Sequence, residues 1–186
     1  MEEKLMAITL EELAKEVQKL KDIEEIKVLK ARYSDMCDSN HDWTQIKDLF
    51  APDAKWIGDP TQPWGGGNNR EEIEKLFQFY QTQMDGVPGV GVLGHNPMAP
   101  QITVADDGVH ATGKWHMFGA FRMFEGRAET GSKSFLEQGK YEDEYVKIDE
   151  NGNLDPNGKW FISQLSFWDT LCASPQDGWD DKVIQW

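Results

Sequence analysis

Apolar residues recur at helical spacing up to about residue 85 and at strand spacing from about residue 90 onward, so the chain is divided into a helical half and a sheet half. Thr9 and Glu12 form a capping-box pattern ahead of Leu10, Leu13, Val17, Leu20, Ile23 and Ile26, which predicts a helix from residue 9 to the mid-30s. Its first half carries a narrow stripe suited to a partner subunit, whereas Val28, Leu29, Tyr33 and Met36 are expected to pack on a sheet. A short helix fits Trp43 to Phe50, stopped by Pro52, and a third fits residues 70 to 85 behind the Asn69/Glu72 pair. Strand patterns follow at about 92–105, 109–123, 134–148 and 159–170, separated by Asp-Gly and Asn-Gly turn signals, with a short strand near Ala54 to Ile57. The glycines of Trp64 to Asn69, reading WGGGNN, favour a loop and lack the context of a phosphate-binding motif. Helices first and strands after give an α+β order: three N-terminal helices packed on a strongly curved, mostly antiparallel sheet.

At 186 residues the chain suits one domain. Residues 1–20 form a helical extension and 173–186 an aromatic tail ending in Trp186, of the kind that closes over a pocket or a neighbouring subunit. With 33 acidic against 19 basic side chains the formal charge is −14, a field that repels nucleic-acid phosphates and anionic lipid surfaces. No run is apolar enough to span a bilayer, and the acidic N-terminus lacks the marks of a secretory signal, so a cytoplasmic location is expected. The two cysteines, Cys37 and Cys172, form no CxxC pair and are expected as free thiols.

Three short segments carry a family resemblance. The stretch from Tyr33 through Asp38 to Trp43, followed by Ala51-Pro52-Asp53-Ala54, is similar to the segment in which scytalone dehydratase and bile acid 7α-dehydratase end their first helix with a catalytic Asp. Gly94-His95-Asn96-Pro97 resembles the strand bearing the catalytic His of both enzymes, and Gly113-Lys114-Trp115-His116 resembles the strand that supplies scytalone dehydratase with a second His. Together they resemble the SnoaL-like, scytalone dehydratase-like branch of the nuclear-transport-factor-like (NTF2-like) superfamily over roughly residues 25 to 170. The resemblance implies a cone-shaped α+β fold and a homo-oligomer, a trimer above all. It also implies a cofactor-independent lyase, most simply a dehydratase acting on an aromatic or polycyclic hydroxylated compound. The departures are specific: Gly139 and Tyr141 stand where scytalone dehydratase carries a Ser and an Asn, and Cys37 stands where it carries a Tyr.

By this resemblance Asp38, His95, His116 and Tyr33 are the candidate catalytic groups; the aromatic side chains Trp56, Tyr141, Trp168 and Phe118, with Phe77, Tyr80 and Phe167, are candidate walls for a flat or polycyclic substrate. Each has a plainer reading. Asp38 can initiate a turn, His95 can be a polar residue at a strand edge, and the aromatics can be ordinary core. His116 faces away from its neighbours Trp115 and Met117, and alternation alone does not say which face is the pocket. Asp38, His95 and His116 are expected to converge on one cavity, and if the two imidazoles lie on opposite faces of the sheet the dehydratase-like mechanism that the resemblance implies is wrong. His41 and His110, beside turns, are expected to be solvated. A neighbouring carboxylate raises a thiol pKa and argues against Cys37 as a nucleophile. The imidazoles and carboxylate lack the spacing of a zinc motif, and no metal is assigned. Identical groups would serve a carbon–carbon lyase releasing a small aldehyde, or an isomerase or cyclase. The non-enzymatic alternatives are the small subunit of a ring-hydroxylating oxygenase and a ligand-binding module.

Overall fold

The computed structural model describes residues 8–61, 65–84, 94–124 and 132–173. Helix α1 runs Leu10–Asp38, opened by the expected cap: Thr9 Oγ1 accepts from the Glu12 N–H at 3.1 Å while the Glu12 carboxylate accepts from the Thr9 N–H at 2.8 Å. Its buried stripe begins only at Asp22 and continues through Ile26, Leu29, Lys30, Tyr33, Met36 and Cys37. Leu10 and Leu20, on the first turns, stay exposed at 86% and 62%. Val28 corrects the expectation that it packs on the sheet. It is 60% exposed, because the stripe set by Ile26, Leu29 and Tyr33 runs along a different side of the helix.

A 3₁₀ helix, Trp43–Asp48, is capped by Asp42 and precedes strand β1, Phe50–Ile57. Phe50 is therefore the first strand residue rather than the end of a helix. Strand β2, Gly66–Gly67, pairs with Trp56 and Ile57, so part of the glycine run joins the sheet. A Cβ on Gly66 would lie 2.9 Å from the Trp56 carbonyl oxygen, and one on Gly67 would lie 2.9 Å from the Ile73 nitrogen, so the close approach of β2 and α2 requires side-chain-free positions. Helix α2 spans Arg70–Met84, and strands β3 (His95–Val104), β4 (His110–Phe124), β5 (Ser132–Ile148) and β6 (Lys159–Ala173) complete the described chain. Residues 92 and 93 and the aromatic tail from 174 lie outside the described residues.

The six strands form one sheet in the order β2-β1-β6-β5-β4-β3. It is mixed, because β1 runs parallel to β6 and every other pair is antiparallel. Prolines sit where the ladder tolerates a missing donor. Pro52 falls in the register shift between Phe50 and Lys55, and Pro97 lies on the edge strand β3, just before the shift between Met98 and Gln101 where Ala99 takes a φ of 50°. The inner face carries Trp115, Tyr141 and Phe167 in one cross-strand row and Phe121 with Phe135 in another.

Buried ion pairs fasten α1 to this face. Asp22 accepts from Lys147 Nζ at 2.7 Å and Trp160 Nε1 at 3.0 Å, and Lys30 Nζ donates to Asp143 Oδ2 at 2.8 Å with both side chains fully buried. Helices across the concave side of a curved sheet make the NTF2-like cone. Among the described residues no helix is long and apolar enough to cross a membrane.

Candidate active site

The last residue of α1 meets the first residue of β3. The Asp38 carboxylate accepts the His95 backbone N–H at 3.0 and 3.2 Å, and its Oδ1 lies 2.7 Å from His95 Nδ1. A carboxylate at a helix C-terminus faces the negative end of the helix dipole, at a cost of roughly 0.3–1 kcal/mol, and no basic residue stands in the last turn of α1 to offset it. The bonds to His95 supply the compensation. Since the carboxylate only accepts, this network assigns the proton to Nδ1 and leaves the lone pair on Nε2. The ring is held from the side by Phe121, edge-on at 4.8 Å between centroids.

His95 forms part of the wall of an aromatic cavity of about 60 Å³, lined also by Tyr33, Trp56, Phe77, Tyr80, Met117, Phe121, Phe135, Tyr141 and Phe167. Trp56 Nε1 donates to Tyr33 Oη at 3.1 Å, and burial holds the Tyr33 phenol well above its ordinary pKa, so it stays a proton donor. Trp56 and Tyr141 thus occupy the walls on which the sequence placed them. Lys30 Nζ sits 3.4 Å from the Tyr141 ring centroid and fixes that wall from behind.

His116, Phe118 and Trp168 do not reach this cavity. In the register, His116 pairs with Lys140 and Lys140 with Trp168, a row one residue out of phase with the inner row Trp115, Tyr141 and Phe167. Strand alternation therefore puts His116, Phe118 and Trp168 on the outer face, where Phe118 is 38% exposed. The expected convergence of Asp38, His95 and His116 is corrected to Asp38 and His95 alone, and the two-histidine dehydratase-like mechanism that the resemblance implied fails with it, so any acid–base chemistry in this cavity has to run on His95 without His116.

The second imidazole of the cavity is His41, which corrects the expectation that it is solvated. Its backbone takes a φ of 52° just past the end of α1, and its N–H donates to the Cys37 carbonyl at 3.0 Å. This turn swings the ring inward between Phe77, at 5.6 Å, and Tyr80, at 5.3 Å. Burial first, then the neighbouring His95, push its pKa down to about 3, so it is a neutral imidazole. Its Nδ1 has no hydrogen-bond partner among the described residues. His110, by contrast, is exposed and pairs with Asp107 at 2.8 Å, as a turn histidine should. A second cavity group also escaped the sequence reading. Glu137 lines the same wall at 5% exposure, and burial together with a hydrogen bond to Asp169 pushes its carboxyl well above the usual range. The available signal was its place in the alternation Phe135, Glu137, Gly139, Tyr141, all on one face of β5.

Cys37 is buried, and its thiol is pushed up to about 12, by burial before the Asp38 charge, so it is no nucleophile at neutral pH. Cys37 Sγ and ring nitrogens of His41 and His95 lie within 4.8 Å of one another, the one donor set among the described residues able to hold a metal ion. A tetrahedral zinc ion with bonds of about 2.0–2.3 Å would require the three to draw closer and the thiol to release its proton. As it stands the arrangement is a carboxylate-held base facing neutral polar groups in an apolar cavity. An arrangement of this kind suits proton abstraction from a molecule bound in the cavity.

The comparisons agree with this architecture. At 18% identity, a protein of Novosphingobium aromaticivorans assigned provisionally as a scytalone dehydratase superposes with a TM-score of 0.64, over 84% of this chain and 89% of that one. The hexachlorocyclohexane dehydrochlorinase LinA-type3 of Novosphingobium barchaimii gives 0.64 at 14% identity, over 86% and 93%. An NTF2-like protein with a cystatin-like fold from N. aromaticivorans gives 0.59 at 20% identity, over 86% and 88%. These similarities are of fold. The family described as the SnoaL-like domain matches residues 18–166, most of the chain, and the protein belongs to that family.

Proposed function

We propose that this protein is a lyase that eliminates water, or a comparable small leaving group, from a hydroxylated aromatic compound by acid–base chemistry of its own side chains. The observation that carries the reading is the Asp38–His95 pair, with Nδ1 at 2.7 Å from the carboxylate and the ring in the wall of an aromatic cavity. Asp38 fixes the tautomer and stabilises the imidazolium that forms when Nε2 takes a proton. Tyr33, kept protonated, is a hydrogen-bond donor for a substrate oxygen. The family and fold include proteins named as dehydratases and dehydrochlorinases, and both names describe β-eliminations. A binding module needs no titratable group in its cavity, so an imidazole held by a carboxylate in the cavity wall favours an enzyme over a non-catalytic subunit.

The size of the cavity supports a small substrate. Apolar cavities of about 150 Å³ accept benzene, and at about 60 Å³ this cavity has to widen by rearrangement of its wall side chains to admit even a single ring. A one-ring substrate therefore suits the site better than a polycyclic one. The exposed apolar stripe of Leu10, Leu13, Val17 and Leu20 fits the expected trimer, since it would otherwise leave apolar area in water.

The test is to incubate the protein, with and without a chelator, with single-ring β-hydroxy ketones and related benzylic alcohols, and to follow products by mass spectrometry. Loss of water that resists chelation supports the reading. Turnover that disappears with the chelator and returns with zinc would move the chemistry to the Cys37, His41 and His95 donor set.

A further inference from the structure

Elimination of a hydroxyl group needs an acid as well as a base, and the groups already described do not provide a strong one. Tyr33 Oη accepts from Trp56 and is held protonated by its surroundings, and His41 is a neutral imidazole. Glu137 stands differently. His95 pairs with Gly119 across β3 and β4, and Gly119 pairs with Glu137 across β4 and β5, so the three residues form one row on the inner face. Strands lie about 4.7–4.9 Å apart, which sets the His95 and Glu137 backbones roughly 10 Å from each other, and Gly119 between them contributes no side chain of its own. The ring of Phe121 lies over this gap, since a Cβ on Gly119 would be 2.2 Å from it. The gap therefore has an aromatic floor, a base at one end and a carboxyl at the other.

The carboxyl is oriented. Glu137 is 5% exposed, it lines the cavity, and its Oε1 has no hydrogen-bond partner among the described residues. Its other link is the hydrogen bond to Asp169, a fully buried residue whose backbone N–H donates to Asp59 Oδ2 at 3.3 Å. Two carboxyl groups bonded to each other away from water hold a proton between them, because both cannot ionise at such range.

We propose that Glu137, sharing its proton with Asp169, is the general acid that protonates the departing oxygen of a substrate ring stacked on Phe121. The proposal rests on the lyase reading above. His95 Nε2 takes the proton α to the carbonyl, the electrons of that C–H bond become the new C=C bond, and the C–O bond breaks. Glu137 gives its proton to the leaving oxygen, which departs as water. The extra proton on His95 then returns to the Glu137–Asp169 pair through solvent, and substrate has become enone plus water.

Glu137→Gln keeps the shape and the link to Asp169 while removing the acid, and two measurements on the full chain decide the matter. The infrared difference spectrum of wild type minus E137Q at pH 7 should show the C=O stretch of a protonated carboxylic acid. A spectrum with carboxylate bands alone overturns the proposal whatever the activity. The second measurement compares a β-hydroxy-β-phenyl ketone with its β-acetoxy counterpart, whose leaving group needs little protonation. E137Q should slow the hydroxy compound by about 10² to 10⁴-fold and the acetoxy compound by less than about tenfold, whereas His95→Ala should slow both. Equal slowing of both compounds by E137Q, or slowing of neither, overturns the assignment of Glu137 and leaves the base untouched. A wild-type protein that shows the acid band but turns over neither compound overturns the lyase reading, and the role of Glu137 with it.

Discussion

Lys30→Met removes one half of the ion pair that seats α1 on the sheet, and the structure sets the size of the effect. The Lys30 and Asp143 side chains are both fully buried at 2.8 Å, and Tyr145 Oη also donates to Asp143 Oδ2 at 2.8 Å. Burial pushes Lys30 down and Asp143 up, each opposed by the other's charge. Methionine matches the aliphatic length of the lysine side chain but strands the carboxyl in a dry site, a loss of about 3–5 kcal/mol. At roughly 2–4 °C per kcal/mol for a chain of this size, the melting temperature should fall by about 6–20 °C. The double variant Lys30→Met with Asp143→Asn leaves no unpaired charge and keeps an acceptor for Tyr145, so it should recover most of the loss. Urea unfolding of wild type, both single variants and the double variant closes the cycle. If each single variant costs under about 1 kcal/mol, or if the double variant costs as much as the two singles added, the pair does not hold the helix on the sheet.

The other expectations are smaller in scope. His41 is held neutral at a pKa of about 3 against the ordinary 6.5. Below pH 6.5 the unfolded chain takes up a proton that the folded chain refuses, so this residue contributes stability above that pH and loses it as pH falls towards 3, by about 2 kcal/mol at pH 5. His41→Asn, which tolerates the left-handed backbone, should flatten that part of the stability curve measured by urea unfolding at several pH values. Glu137 acts in the opposite sense, since its raised folded pKa adds stability on acidification, so the slope of the variant and not the wild-type curve alone is diagnostic. Gly139→Ala would place a Cβ 2.4 Å from the Phe167 ring and 2.7 Å from the Trp168 carbonyl oxygen. The overpacking should destabilise by about 1–3 kcal/mol, seen as a lower denaturation midpoint. Sedimentation velocity at micromolar concentration should show an assembly of the size of a trimer, and Leu13→Glu with Leu20→Glu should dissociate it.

The period change near residue 90 made the element order legible, because helices and strands of this length bury opposite periodicities. The ends of elements were less so. Nothing in the sequence before Pro52 distinguishes the end of a 3₁₀ turn from the start of a strand, so Phe50 reads as helical, and the pairing of Gly66 and Gly67 depends on close approach that composition does not encode. Asp38, His95 and Tyr33 are legible in short motifs and Trp56 and Tyr141 only as candidate aromatic walls, and the structure brings all five together around one cavity. His116 was misplaced because period-2 alternation identifies two faces without naming the inner one, and the Trp115 and Met117 face proved to be the cavity side. His41 was missed because its inward turn follows from two consecutive left-handed residues, Asn40 and His41, with φ of 60° and 52°. Glu137 was missed for a different reason: an acidic residue in a strand reads as a solvated one until the register shows its neighbours.

The central claim is that His95, oriented by Asp38, is the base of the site. It is tested most directly by the turnover of a β-hydroxy-β-phenyl ketone by wild type, H95A, D38N and H116A, each first checked for an unchanged fold by circular dichroism. The account predicts that H95A falls by at least about 10²-fold, that D38N falls by less, and that H116A, altered on the outer face, stays within about twofold of wild type. Turnover that survives H95A, or that is lost in H116A, would contradict it.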